Sequence, residues 1–341
     1  MKRTAALLLF CIALLGGPYS WAQGAKSPLR QAAVDTAFLL PVNGVKQYLE
    51  IKGASKTKPV LLFIHGGPSW PATPMNRKYS QALANDFIFV SWDQRNCGKS
   101  QTDTTVALTP GLYVEDAHVV TQFLKQQYHQ RKIFVVGHSW GSLIGVNLVQ
   151  KYPQDYAAYI GVGQLVNPGK SEMLARNHVV QQATLRKDTA TLAALAKIPF
   201  SEAGGYPNGL AGLSRFRMVS DKYLASSEVA ELPNPMTLYP DYQALDWMTP
   251  VLRTYKLLSS YMDGGKTNLL KQNTFQLPVY LLVGKYDYTT SAALAQQYFT
   301  AIKAPKKQLF LFEHSGHQPS WEEPALFHAR LLQIAAANKT N

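Results

Sequence analysis

Two cysteines stand in 341 residues, and the spacing around each excludes a disulfide scaffold. Cys11 lies in an apolar N-terminal run that reads as a leader, so Cys97 remains alone and reads as a small packing residue. Stability must therefore come from a buried core, which a chain of this length can supply. Charge is also sparse, at 16% of residues. The formal net charge of +13 is scattered, with no basic run and no interleaved aromatics, which argues against a nucleic-acid partner. No apolar stretch approaches the roughly 20 residues that a membrane-spanning helix needs, so stable membrane insertion is not expected. There is no His-Glu-x-x-His, no pair of cysteine ligands, and no Gly-x-Gly-x-x-Gly or phosphate loop after a strand. Neither a metal nor a cofactor is expected. Any chemistry falls to the chain's own side chains.

What is present begins with an address. Lys2-Arg3, the apolar run from Ala5 to Leu15, and a small-residue site near Ser20-Trp21-Ala22 read as a signal peptide over residues 1–22. The expected location is secreted or periplasmic. From there, continuous β-rich runs alternate with helical patterns. Pro59 to Ile64, Phe87 to Trp92, Ile133 to Val136 and Tyr156 to Val162 predict a mostly parallel sheet covered on both faces. Asn43-Gly44 predicts the turn of a leading antiparallel hairpin. Thr109-Pro110 marks a helix start. After about Gln164 the strand signal stops and helical, loop-punctuated sequence runs to about Phe275. Pro278 to Gly284 and Gln308 to Phe312 then resume it, around a helix over Ala292 to Ile302. The organisation expected is an α/β core in two parts, 23–164 and 276–341, with a mainly helical cap inserted over 165–275.

The chemistry centres on Gly137-His138-Ser139-Trp140-Gly141, which joins an apolar strand to a helix. A serine that attacks a carbonyl must project from a tight turn, and flanking glycines remove the Cβ atoms that would collide there. Such a serine needs a base, an acid to orient the base, and donors for the oxyanion. Asp287 follows one late strand and His317 the next, in the order serine, acid, histidine. His314 competes with His317 within the same short loop; Gly316 beside His317 favours the latter. His65-Gly66-Gly67-Pro68 follows the first core strand and offers backbone N–H groups, Gly67 first and Gly66 second, with the amide of Trp140 as the other donor. His65 and His138 read as structural, packing or hydrogen-bonding around these turns.

These residues, together with Trp92-Asp93-Gln94-Arg95-Asn96-Cys97-Gly98-Lys99-Ser100, Gly284-Lys285-Tyr286-Asp287 and Ser315-Gly316-His317, resemble the α/β-hydrolase superfamily and, within it, the prolyl iminopeptidase-like branch of peptidase family S33. The resemblance implies an α/β-hydrolase fold and a serine hydrolase that cleaves an ester or amide through an acyl-enzyme, with a peptide or small-molecule substrate. An iminopeptidase-like aminopeptidase is the first expectation, and a carboxylesterase or lactonase on the same machinery the alternative. A non-catalytic binding protein on a hydrolase scaffold would be favoured by loss of a triad member, and none is lost. Two departures stand out: Ser69 and Asn96 occupy positions where the family usually has glycine. In addition, the Trp- and Glu-rich cap segment that holds the substrate ammonium in iminopeptidases is not recognisable. The cap offers Glu202, Asp221, Glu228, Glu231, Asp241 and Asp246, with none singled out.

Overall fold

Strands that are apolar at every position need cover on both faces, and the sheet of this protein has it. The computed structural model describes residues 34–262 and 265–338, so the expected leader over 1–22 lies outside the described residues. Eight strands form one sheet in the order β1-β2-β4-β3-β5-β6-β7-β8. They are β1 (Val34–Val42), β2 (Val45–Gly53), β3 (Val60–Ile64), β4 (Ile88–Asp93), β5 (Ile133–His138), β6 (Tyr156–Val162), β7 (Val279–Gly284) and β8 (Lys307–Phe312). β1 pairs antiparallel with β2 around the Asn43-Gly44 turn, and β2 pairs antiparallel with β4. All the remaining pairings are parallel.

Alternate residues of each central strand feed opposite faces. Val60, Leu62 and Ile64 of β3 join one cluster with Val114 and Ala117 of α2 (Pro110–Gln127), Ile144 and Leu148 of α3 (Trp140–Lys151), and Tyr298 of α9 (Ala292–Ala301). Leu61 and Phe63 join the other, with Met75 of α1 (Thr73–Tyr79), Trp321 of α10 (Pro319–Glu322), and Phe327 and Leu331 of α11 (Pro324–Ala337). α2 starts as its sequence dictates: the Thr109 hydroxyl accepts from Leu112 N at 3.2 Å and Pro110 occupies the first turn.

Between β6 and β7 lie α4 (Pro168–Leu185), α5 (Thr189–Ala196), α6 (Leu210–Leu224), α7 (Pro240–Gln243) and α8 (Met248–Met262). Ala175, Val179, Leu195, Tyr206 and Phe216 give this helical segment a hydrophobic cluster of its own. Leu165, Val166, Leu269 and Phe275, at its two ends, belong to the cluster of the sheet. No helix among the described residues is long and apolar enough to cross a membrane.

Because β3, β5, β6, β7 and β8 run parallel, their C-terminal ends share one edge of the sheet. The loops leaving that edge carry Gly66-Gly67, Ser139, Gly163, Asp287 and His317. Open α/β sheets bind ligands at this edge.

Candidate active site

Ser139 sits between β5 and α3 with φ 54° and ψ −120°, a conformation that a non-glycine residue adopts only when its surroundings impose it. The surroundings are tight. A methyl on Gly141 would lie 2.1 Å from the carbonyl oxygen of Ile64, so α3 can reach this close to β3 only with glycine there. The Ser139 amide donates to Val162 O at 3.0 Å, and the Ser142 amide to Ser139 O at 2.8 Å. A side chain on Gly66 would meet Cβ of Ser139 at 2.9 Å. The His-Gly-Gly loop is thus packed directly on the serine, with Gly66 the nearer of its two glycines. Gly67 follows with φ 122°. Trp140 opens α3, where a backbone N–H has no helical acceptor. Its ring is buried edge-on against Tyr113, centroids 5.5 Å apart.

His317 Nδ1 lies 3.0 Å from Asp287 Oδ2. The carboxylate is saturated: the amides of Thr289 and Thr290 donate to its Oδ1 at 2.8 and 2.9 Å, and the Thr290 hydroxyl donates to Oδ2 at 2.7 Å. Burial opposes ionisation of Asp287, but the His317 charge, its hydrogen bond and the Thr290 donors hold the carboxyl below its ordinary value. Burial likewise disfavours the His317 cation, but the Asp287 charge, its hydrogen bond and the Glu322 charge together outweigh it, so the imidazole is held above its ordinary value. His314, the competitor in sequence, is an exposed side chain 3.6 Å from Glu228. His317 and Ser139 converge at the end of β6. A methyl on Gly163 would lie 3.0 Å from the His317 ring, and Val162 just before it accepts the Ser139 amide.

His65 and His138 hold turns. Gln94 N donates to His65 Nε2 at 3.1 Å, which leaves the proton on Nδ1, 2.7 Å from Gly66 O. Burial pushes His65 down to about 4. His138 Nε2 donates to His317 O at 3.0 Å, and burial, with the nearby His317 charge, pushes it down to about 3. Both are neutral scaffolding at neutral pH. Cys97 is buried and its thiol pushed up by that burial.

A cavity of about 680 Å³ opens on His317. Its walls combine His317, Glu322 and Tyr288 from the core loops with Arg217, Asp221 and Glu231 from the helical segment. Of the other acids of that segment, Glu202 is exposed, Glu228 faces His314, and Asp246 caps Thr249 N at 3.1 Å. Asp241 pairs with Arg77 at 2.8 Å and with Lys99. Arg217 is engaged by Glu172.

Three contributors went unread in the sequence. Thr290 supports Asp287, and its signal is the Asp-x-x-Thr spacing, which lets a hydroxyl and an amide fold back on one carboxylate. Glu322 and Glu323 brace the His317 loop. The amides of Gly316 and Gln318 donate to Glu322 Oε2 at 2.8 and 3.1 Å, while the His314 amide and Ser315 hydroxyl donate to Glu323 Oε2 at 3.1 and 2.6 Å. Burial pushes the Glu322 carboxyl up to about 7. Their signal is a pair of acids a few residues beyond a candidate histidine.

Comparison with known proteins agrees with this architecture. Residues 55–324 match the family model described as serine aminopeptidase, S33. A probable aminopeptidase of Bacillus subtilis, YbaC, is 28% identical over 315 residues, covering 87% of this chain and 95% of the relative. A proline iminopeptidase of Lactobacillus helveticus is 27% identical over 108 residues, a match that spans 31% of this chain and 36% of the relative. Among solved structures, the proline iminopeptidase of Mycobacterium smegmatis superposes with a TM-score of 0.64 at 17% identity, over 89% of this chain and 98% of that one. The carboxylesterase CesB of Bacillus subtilis gives 0.57 at 16% identity, over 89% and 92%. At these identities the structural likeness speaks for the fold.

Proposed function

The chain belongs to the S33 serine aminopeptidase family and is a hydrolase with the α/β-hydrolase fold, and from that premise we propose that it cleaves amides at a peptide N-terminus through Ser139, His317 and Asp287. The observation that carries the reading is the meeting, at Gly163, of a strained serine turn with an imidazole paired to a buried carboxylate. With Nδ1–H donated to Asp287, the Nε2 lone pair is free to take the Ser139 proton as Oγ attacks the carbonyl carbon. The amides of Gly67 and Trp140 receive the oxyanion. The imidazolium returns the proton to the leaving amine, which departs and leaves an ester on Ser139. Water, deprotonated by His317, then attacks that ester, and the imidazolium returns the proton to Ser139 Oγ as the acid is released.

The cavity wall supports an amine-bearing substrate. Asp221 and Glu231 share that wall, while Arg217 is already engaged by Glu172. An ammonium taken out of water needs such anionic partners. The same proposal has the chain exported, its leader removed near Ala22, which the mass of the mature protein would test.

Turnover of proline-arylamide and of short-chain aryl esters by wild-type and Ser139→Ala protein tests the function. The expected result is amide turnover that the alanine variant lacks. Full activity in Ser139→Ala would remove the mechanism, and ester turnover with no amide turnover would replace the aminopeptidase by a carboxylesterase.

A further inference from the structure

His317 sits on a short irregular loop between β8 and α10, so its backbone must be fixed by something other than a helix or strand. The carbonyl side is tied to the sheet: Tyr286 N donates to Ser315 O at 3.0 Å, and His138 Nε2 donates to His317 O at 3.0 Å. The amide side is tied to the two adjacent carboxylates. One oxygen of Glu322 accepts from the residue before His317 and from the residue after it, at 2.8 and 3.1 Å. Glu322 is itself anchored, because its amide and that of Trp321 donate to Gln318 O at 2.9 Å, and the Trp321 indole donates to Asn76 Oδ1 on α1 at 3.0 Å. The loop is therefore clipped to α1 through α10.

We propose that Glu322 is a positioning residue for the catalytic base: by holding the amides on both sides of His317 on one oxygen, it sets the ring so that Nδ1 keeps Asp287 and Nε2 faces Ser139. The inference rests on the reading of His317 as the base. The Asp287 bond fixes one ring nitrogen, but a ring held at one point still pivots with its backbone. Displacement of a catalytic group by about 1 Å can cost about 100-fold in rate. Glu322 acts through the peptide, so its effect belongs in the rate of the chemical step.

The rate at which a fluorophosphonate phosphonylates Ser139 reads the activation of the serine without knowledge of the natural substrate. Wild type, Glu322→Ala, Glu322→Gln, Glu322→Asp and Ser139→Ala are compared at equal fold, checked by thermal unfolding. Hydrolysis of a short aryl ester supplies kcat and KM. Glu322→Ala is expected to react about 10- to 100-fold more slowly, with kcat reduced alike and KM within about twofold. Glu322→Gln is expected within about threefold of wild type, because its carbonyl oxygen can accept both amides. Glu322→Asp, one methylene short, is expected to resemble alanine. The inference is overturned if alanine reacts at the wild-type rate, if the loss lies in KM alone, or if glutamine is no better than alanine. Should alanine not fold, the glutamine–aspartate pair decides: equal wild-type rates in both overturn it. A wild-type protein that is not labelled at all overturns the serine-hydrolase reading first and this inference with it.

Discussion

Removing the carboxylate of Asp116 should unfold the protein more readily than any exposed substitution while leaving the chemistry of the folded enzyme intact. Asp116 and Arg95 are both fully buried. Arg95 Nε and Nη2 donate to the two carboxylate oxygens at 2.8 and 2.9 Å, a bidentate pair. Asn43 and Gln47 add their amides, each at 2.8 Å, so the turn between β1 and β2, β2 itself, the loop after β4 and α2 meet on one carboxylate. Asp116→Ala leaves the buried guanidinium with Asp103 as its remaining carboxylate, 3.2 Å from Nη1, so the cost should lie at the low end for a broken buried pair, about 3 kcal/mol. Against a total of about 5–15 kcal/mol for a domain, that is a large fraction. In urea, with a slope of about 3 kcal/mol per molar, the midpoint should fall by about 1 M. Arg95→Met should cost a comparable amount. The double variant Arg95→Met/Asp116→Leu should fall short of the sum by at least about 2 kcal/mol, because neither member of the fully buried pair is left without the other. Turnover of the folded single variants at low temperature should remain within about twofold of wild type. A loss below about 1 kcal/mol for Asp116→Ala, or additive single effects, would refute the reasoning.

Asp287→Asn should lower kcat by about a thousand- to ten-thousandfold, by analogy with the buried acid of other triads. His317 must be neutral to act as base, so kcat/KM should rise with pH through a value above the ordinary 6.5, and loss of the Asp287 charge should move that limb to lower pH; an unmoved limb would contradict the pairing. Gly66→Ala places a methyl 2.9 Å from Cβ of Ser139, and kcat for an aryl ester should fall at least about tenfold; unchanged turnover would show that the loop yields. Tyr242→Phe removes the hydroxyl that donates to the buried Asp93 at 2.7 Å and should cost about 1–3 kcal/mol by thermal or urea unfolding; a loss of a few tenths would mean that water replaces it.

The sheet was legible because apolar runs at every position leave few alternatives to a doubly covered strand: Tyr156 to Val162 is β6 residue for residue, and Asn43-Gly44 is the hairpin turn. The order of Ser139, Asp287 and His317 was legible because parallel strands deliver their ends to one edge. Which of His314 and His317 meets Asp287 was not decided by periodicity, since a short loop has none. The two departures from the family pattern find their physical reason in the backbone: Ser69 has φ 63° and Asn96 has φ 58°, the left-handed region in which glycine is the easiest residue. Asn is among the few side chains that tolerate it, and here its Oδ1 also accepts from Asp103 N at 2.6 Å. Cap acids were illegible because their neighbours come from distant loops: nothing in the sequence separates Asp221, on the cavity wall, from Asp241, bound by Arg77 and Lys99.

Asp241 and its neighbour Tyr242 also give the stretch from Trp92 to Ser100 a role, although in the proposed mechanism it supplies none of the reacting groups. Asp93 is fully buried and accepts from the Thr73 hydroxyl at 2.6 Å, the Lys99 amide at 2.9 Å and the Tyr242 hydroxyl at 2.7 Å. A methyl on Gly98 would lie 2.1 Å from Asp93 Oδ2, so the loop can close on the carboxylate only with glycine there. Ser100 completes the turn, its hydroxyl donating to Asp93 O and accepting from Tyr48 N at 2.8 Å. Tyr242 and Asp241 belong to α7 of the helical segment, whereas Asp93, Arg77 and Lys99 belong to the core. The motif therefore seats that segment on the core at α7, while the cavity over His317 is walled by α6 and the loop that follows it. Fastening and the cavity wall lie on different parts of the same segment. Asp221 and Glu231 are thereby left free of the seat, as the proposed amine-binding wall requires.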